Sequence, residues 1–450
     1  MASCAANRRQ VSNANRSRIH GAMLGGTFLR PGGALDRKNW RLTALEARQR
    51  LMRVRIMLIM QRLVKRRAQL PGLAILLMLA GAISGTLHAN QHVELNSQLL
   101  ALPRNVWVKL HQPEQADWRR QAHAGVAYDT KRGTLLIFGS NTHGRDWDNS
   151  VHEFNPVTLS WETHYPAAPK SSYRADAEGR AIAGGDRLLP WAMHTYDGVV
   201  YDPMLDSLVV TALPEHNPVK REVPQATIHP TWIYDLEIRE WRILENNGNP
   251  YPKAFAAGST YDSDRDVVVS YKWGIWELGP DRDQWRNTAA SFHHRLHYNV
   301  EYDSKRNVLA VFGDFRPTND VWIYKPGPAA GNSGQWEKKS PGGDPCPRGQ
   351  HFPVAFDSDN GVFLIVPDNV EHTKNEGGQT RGQSPKSSST FVYDPGANRY
   401  TRLPKADLEP LKMNYMMIYE PRHKVFLLVT GDHSEPATVW VLRLDLSSLI

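Results

Sequence analysis

Residues 123–140 read HAGVAYDTKRGTLLIFGS. A short run ends in an aromatic and an acid, Tyr128-Asp129. A polar turn follows, and then the uninterrupted apolar run LLIF from Leu135. The phrase recurs five more times. Its aromatic-acidic pairs are Tyr201-Asp202, Tyr261-Asp262, Tyr302-Asp303, Phe356-Asp357 and Tyr419-Glu420. Each leads, over Asp, Asn, Gly and basic residues, into LVVT from Leu208, VVVS from Val267, LAVF from Leu309, FLIV from Phe363 or FLLV from Phe426. Such turns predict hairpins. Runs this short and this β-branched predict strands buried on both faces.

Working outward, each unit gains two further strands. Two large residues seven apart recur as Phe154/Trp161, Tyr234/Trp241, Leu278/Trp285 and Tyr393/Tyr400, and Tyr324/Trp336 is the same pair with an insertion. They are expected to face each other across an outer hairpin. The sixth unit stops after its third strand, TVWVLRLDLSSLI from Thr438. An unused strand with a tryptophan stands at the front, Asn105 to Leu110. That strand is expected to complete the last unit, pairing an edge that would otherwise stay open.

Six four-stranded units of this kind predict an all-β fold, a six-bladed β-propeller closed by an N-terminal strand and spanning residues 90–450. The pattern resembles the kelch repeat of the galactose-oxidase-like superfamily over residues 105–450. The family's double glycine after the second strand is reduced here to Phe138-Gly139-Ser140, Phe312-Gly313-Asp314 and Thr430-Gly431-Asp432.

The charge is unevenly placed. Residues 1–70 hold 16 Lys and Arg against 2 Asp and Glu, whereas the remaining 380 hold 38 against 44. The repeat region is therefore mildly acidic, at −6, which argues against a nucleic-acid partner. From Met60, the basic residues Arg62, Lys65, Arg66 and Arg67 precede an apolar stretch from Leu73 to Ile83 and small residues up to Ala89. Residues 60–89 read as a secretory signal or an uncleaved anchor, so a periplasmic or secreted protein is expected, touching membrane only there. Residues 1–59 are basic and unpatterned, and read as a disordered or untranslated extension. Cys4 and Cys346 are the only cysteines, so the exported part is expected to stand on its core without an internal disulfide. A monomer is expected.

Propeller topology brings the start of each first strand and each second-to-third-strand loop to one mouth. Five positions before the six pairs stand His123, Tyr196, Ala256, His297, His351 and Asn414, with His194 close by. The facing loops supply His143, Arg145 and Asp146; His216; Lys272 and Trp273; Asp314 and Arg316; Asp368 and His372; and Asp432 and His433. Of these, His123, Tyr196, His297, His351 and Arg316 are the candidate catalytic residues. The others are candidate ligand-binding groups. The stretch 164–191, with Tyr173, Arg174 and Trp191, is expected to order over a ligand.

Imidazole, guanidinium, carboxylate and aromatic groups together suit a glycan, an acidic sugar above all. A lyase or epimerase that moves a proton beside a sugar carboxylate is the expected chemistry if there is turnover, as on related propellers. A copper radical oxidase, which the superfamily name suggests, lacks a marked tyrosine partner for Cys346. A non-catalytic scaffold of the cell envelope is the other reading. No cofactor is assigned. The metal is likewise unassigned, although His123, His297 and His351 are of a type that binds first-row ions.

Overall fold

The computed structural model describes residues 95–449, apart from 113–114, 145, 215, 247–248, 254, 257, 317, 371, 375–379, 383 and 433–434. The readings of residues 1–59 and 60–89 lie outside the described residues, as do Arg145 and His433 and the side chain of His372.

The described chain is almost wholly β, with antiparallel sheets in a propeller-like arrangement. Sheet 1 holds Gly125–Asp129, Thr134–Phe138, His152–Asn155 and Ser160–Thr163. Sheet 2 holds Val199–Asp202, Ser207–Val210, Trp232–Asp235 and Glu240–Ile243. Sheets 3 and 4 repeat the order over Gly258–Asp262 to Trp285–Asn287 and Asn299–Asp303 to Gln335–Lys339. Sheet 5 runs from Val354–Asp357 to Arg399–Leu408 and gains a fifth strand, Gly342–Gly343, lying parallel to Arg399–Leu408. In sheet 6, Met417–Glu420, Val425–Thr430 and Thr438–Leu442 are followed by Val108–Lys109, with Val108 opposite Val441 and Lys109 opposite Trp440. The first strands touch in the order of sheets 1, 2, 3, 4, 5, 6 and back to 1. A buried apolar cluster fills each of the six junctions between neighbouring sheets.

The repeated acid is a turn device. In five hairpins one Asp oxygen accepts the backbone N–H groups two and three residues on; Glu420 divides the same two bonds between its oxygens. Four residues after each acid the backbone turns left-handed, at Gly133, Asp206, Asp266, Asn307, Gly361 and Lys424, with φ between 50° and 78°. An acceptor side chain followed by a left-handed residue closes a tight hairpin, and Gly, Asn and Asp tolerate that conformation best. The aromatic partner links sheets. The hydroxyls of Tyr128, Tyr302 and Tyr419 donate to Glu420, Asp264 and Asp359 of the preceding sheet.

The four pairs of large residues seven apart, and Tyr324/Trp336 with its insertion, are cross-strand partners in their five sheets. Their ring centroids lie 5.0 Å apart for Phe154/Trp161, 4.9 Å for Tyr234/Trp241 and Tyr324/Trp336, and 5.2 Å for Tyr393/Tyr400.

The stretch 164–191 differs from its expectation. It forms a small three-stranded sheet, Arg174–Ala175, Ala181–Ala183 and Leu189–Pro190. Tyr173 and Trp191 are buried with it in the core between sheets 1 and 2, and the Trp191 indole donates to the Ile182 carbonyl. Apolar burial claims these rings, so they are not presented to a ligand.

Candidate functional site

The residues preceding the first strands gather at one end. Tyr196, Ala256, His297 and His351 all take a left-handed backbone, with φ of 50°, 49°, 59° and 65°. That conformation costs a non-glycine residue about 1 kcal/mol. Its repetition at equivalent points is local strain of the kind concentrated at functional sites. Neighbouring sheets are tied at this level. The N–H groups of Thr195 and Tyr196 donate to the His123 carbonyl, and that of Asn414 to the His351 carbonyl.

Six histidines form one connected cluster. His123 stacks on His194 with centroids 3.9 Å apart. His143, from the second-to-third-strand loop of sheet 1, lies 4.7 Å from His194 and 4.5 Å from His216, which comes from the same loop of sheet 2. Tyr196 bridges to the other half, donating to or accepting from His194 Nδ1 at 3.0 Å and packing 5.1 Å from His297. His297 lies 4.0 Å from His351 and faces the Tyr415 hydroxyl at 3.4 Å. Phe255 closes against His216 and Tyr196. Two buried ring nitrogens, His123 Nδ1 and His351 Nε2, have no hydrogen-bond partner.

Five of the six, His123, His143, His194, His297 and His351, are held neutral. Burial first, and neighbouring imidazoles second, push His194 and His351 down to about 2 and His123 down to about 3. Burial and the nearby Lys272 push His297 down to about 4. His143 is lowered by burial and by His216. Neutral imidazoles keep a lone pair for a proton or a metal ion. Two cations border the cluster. Lys272 is buried and pushed down to about 8 by burial, against the opposing pull of Asp314. Arg120 is lowered to about 10 by burial, with Asp432 opposing, and donates to the Met413 carbonyl.

The remaining candidates divide. Trp273 is 70% exposed, with Lys272 above its ring and Phe292 beside it. Arg316 bonds Asp314 and the His293 carbonyl. Asp314 also accepts from the Arg295 N–H. Asp368 is a local cap, accepting from the backbone N–H groups of Leu411 and Lys412. Ser140 donates to the carbonyl of Asp146. Cys346 is a buried free thiol packed between sheets 4 and 5 with Tyr400, outside the histidine cluster.

Arg120, Phe255 and Tyr415 join the site without having been singled out by the repeat. Two of them sit beside a counted position, Tyr415 next to Asn414 and Phe255 next to Ala256, and Arg120 stands three residues before His123. The first strands also line a cavity of about 550 Å³ that reaches Tyr415 and holds Asp197 and Glu301. Burial pushes Glu301 up to about 8. Burial, reinforced by Glu301, raises Asp197, which accepts from the Val300 N–H.

No family model and no curated protein matches the chain. Among solved structures it is similar to the crystal structure of a GH74 enzyme from Niastella koreensis. That similarity has 11% identity and a TM-score of 0.40, and covers 68% of this chain and 44% of that one.

Proposed function

We propose that the six sheets are the blades of a closed, kelch-type β-propeller that works outside the cytoplasm and binds and cleaves an acidic glycan at the histidine cluster. One observation carries the reading. Neutral imidazoles and tyrosines lie together in a largely buried cluster, reached by the exposed His143 and bordered by Lys272 and Arg120. Elimination from a uronate needs that combination. A cation offsets the sugar carboxylate, which makes the neighbouring carbon-bound proton more acidic. A neutral imidazole such as His297 removes the proton, and a tyrosine hydroxyl such as Tyr415 or Tyr196 returns one to the departing glycosidic oxygen. The bond to that oxygen breaks as a carbon–carbon double bond forms. Exposed Trp273, with Phe292 and Lys272, is a platform on which a sugar face can stack.

The test is incubation of the purified protein with uronate polymers, following the ultraviolet absorbance of the unsaturated product. Turnover is expected, and His297→Ala is expected to lower kcat by about 10²–10⁴-fold with the fold intact. Binding without product would leave a glycan-binding module. Neither binding nor product would leave the scaffold reading.

A further inference from the structure

We infer that His123, His143 and His194 form a site for one divalent first-row transition ion of the zinc type, with a coordination position open to the mouth. One nitrogen from each ring lies within 4.8 Å of the others. The ring centroids are 3.9 Å apart for His123/His194, 4.7 Å for His143/His194 and 5.5 Å for His123/His143.

The buried His123 Nδ1 has no hydrogen-bond partner, and its residue is only 8% exposed. A buried nitrogen left without a partner is destabilising, and a bound ion removes that cost. The donor set selects the ion. Three neutral imidazoles suit a borderline cation and offer nothing to calcium or magnesium, which take oxygen ligands. Three protein ligands with a fourth place left free is the arrangement of catalytic zinc.

Support around the ligands is already built. The Tyr196 hydroxyl at 3.0 Å from His194 Nδ1 holds that ring, as outer partners of metal-bound histidines do. Thr142 Oγ1 at 3.0 Å occupies His194 Nε2, and that bond is the one the ion displaces. His123 and His194 stack with their planes 19° apart. Nearly parallel rings cannot aim in-plane lone pairs at one point, so the pair splays on loading. Tetrahedral ligation at about 2.0–2.1 Å asks the nitrogens to close to roughly 3.3 Å. His143 is exposed on the short turn Thr142–Gly144 and is the ring best placed to swing in.

A second grouping of possible ligands among the described residues, Glu153, Glu162 and His164, is already committed. His164 bonds Glu153 and Tyr234, and Glu162 bonds Arg239.

The site shares the histidine cluster with the proposed glycan site, but ion binding there does not depend on that reading. The full exported chain, stripped with chelator, is titrated with Zn²⁺ by calorimetry and with Co²⁺ by visible absorption. One ion per chain is expected, with d–d bands of a nitrogen-ligated, low-coordinate Co²⁺. His143→Ala is expected to weaken binding at least 100-fold with the metal-free melting temperature unchanged, and the surface control His111→Ala to leave it unchanged. No binding, or equal binding in His143→Ala, overturns the assignment. If His143→Ala should melt early, His143→Gln is read in its place by the same criterion. Metal binding without unsaturated product would sink the elimination reading alone, and product from a protein that binds no ion would sink this one alone.

Discussion

Lys424 sits where the first hairpin of each sheet needs a left-handed residue. Its φ is 56°, against 78° and 72° at the equivalent Gly133 and Gly361. A lysine there carries a conformational cost of about 1 kcal/mol that glycine avoids. Its side chain is exposed and makes one loose ion pair with Asp359 at 3.5 Å, which contributes little in solvent. Glycine also frees the unfolded chain, which offsets part of the gain. Lys424→Gly is therefore expected to stabilise the protein by roughly 0.5 kcal/mol, seen as a higher urea midpoint at unchanged slope. A lower midpoint would show that the Lys424 side chain contributes more than its contacts suggest. The same residue scale explains why the hairpins were legible. An acid followed four positions on by Gly, Asn or Asp is a local code, and chemistry within five residues sets it.

Among the elements, the strand Val108–Lys109 joins chain ends more than 300 residues apart. Asn105 reinforces it: its N–H donates to the Arg443 carbonyl, and its side-chain oxygen accepts from the Asp445 N–H. Trp107 is buried between sheets 5 and 6, and its indole donates to Thr390 Oγ1 at 2.8 Å. Trp107→Ala leaves a large cavity at that junction and removes the only indole bond across it among the described residues. A loss of about 3–5 kcal/mol is expected in chemical denaturation. A loss under 1 kcal/mol would mean that the ends are not held by this strand. The strand was visible in sequence because it supplied the tryptophan missing from the last unit. The insertion 164–191 was misread because Tyr173 and Trp191 carry the same composition whether they cover a ligand or fill a core. The added strand Gly342–Gly343 has no apolar pattern at all, since its pairing is backbone alone.

For the whole molecule, the ring of equivalent positions was legible as a count, but its chemistry was not. His123, Tyr196, His297 and His351 could be aligned by their distance from the repeated acid. That His297 touches His351, and that His143 and His216 reach over from loops, depends on sheet twist and loop path, which no short-range pattern records. The interior acids were equally silent. Glu301 reads as an ordinary alternating strand residue, yet it lines the central cavity, and burial pushes its carboxyl up to about 8. In the unfolded chain it releases its proton near pH 4.5. Between those values the folded state holds more protons, so stability falls as pH rises through the window. The buried histidines act with the opposite sign below pH 6.5, because they are neutral when folded and protonate when unfolded. The contribution of Glu301 is therefore isolated by difference. Glu301→Gln mimics the protonated acid and should match the wild type near pH 5. By pH 8.5 it should exceed the wild type by roughly 2–4 kcal/mol, water in the cavity tempering the full shift. Parallel urea titrations across that range check it. A difference that stays constant with pH would mean that Glu301 ionises freely in the folded state, and that the cavity is wet enough to carry charge through the centre of the sheets.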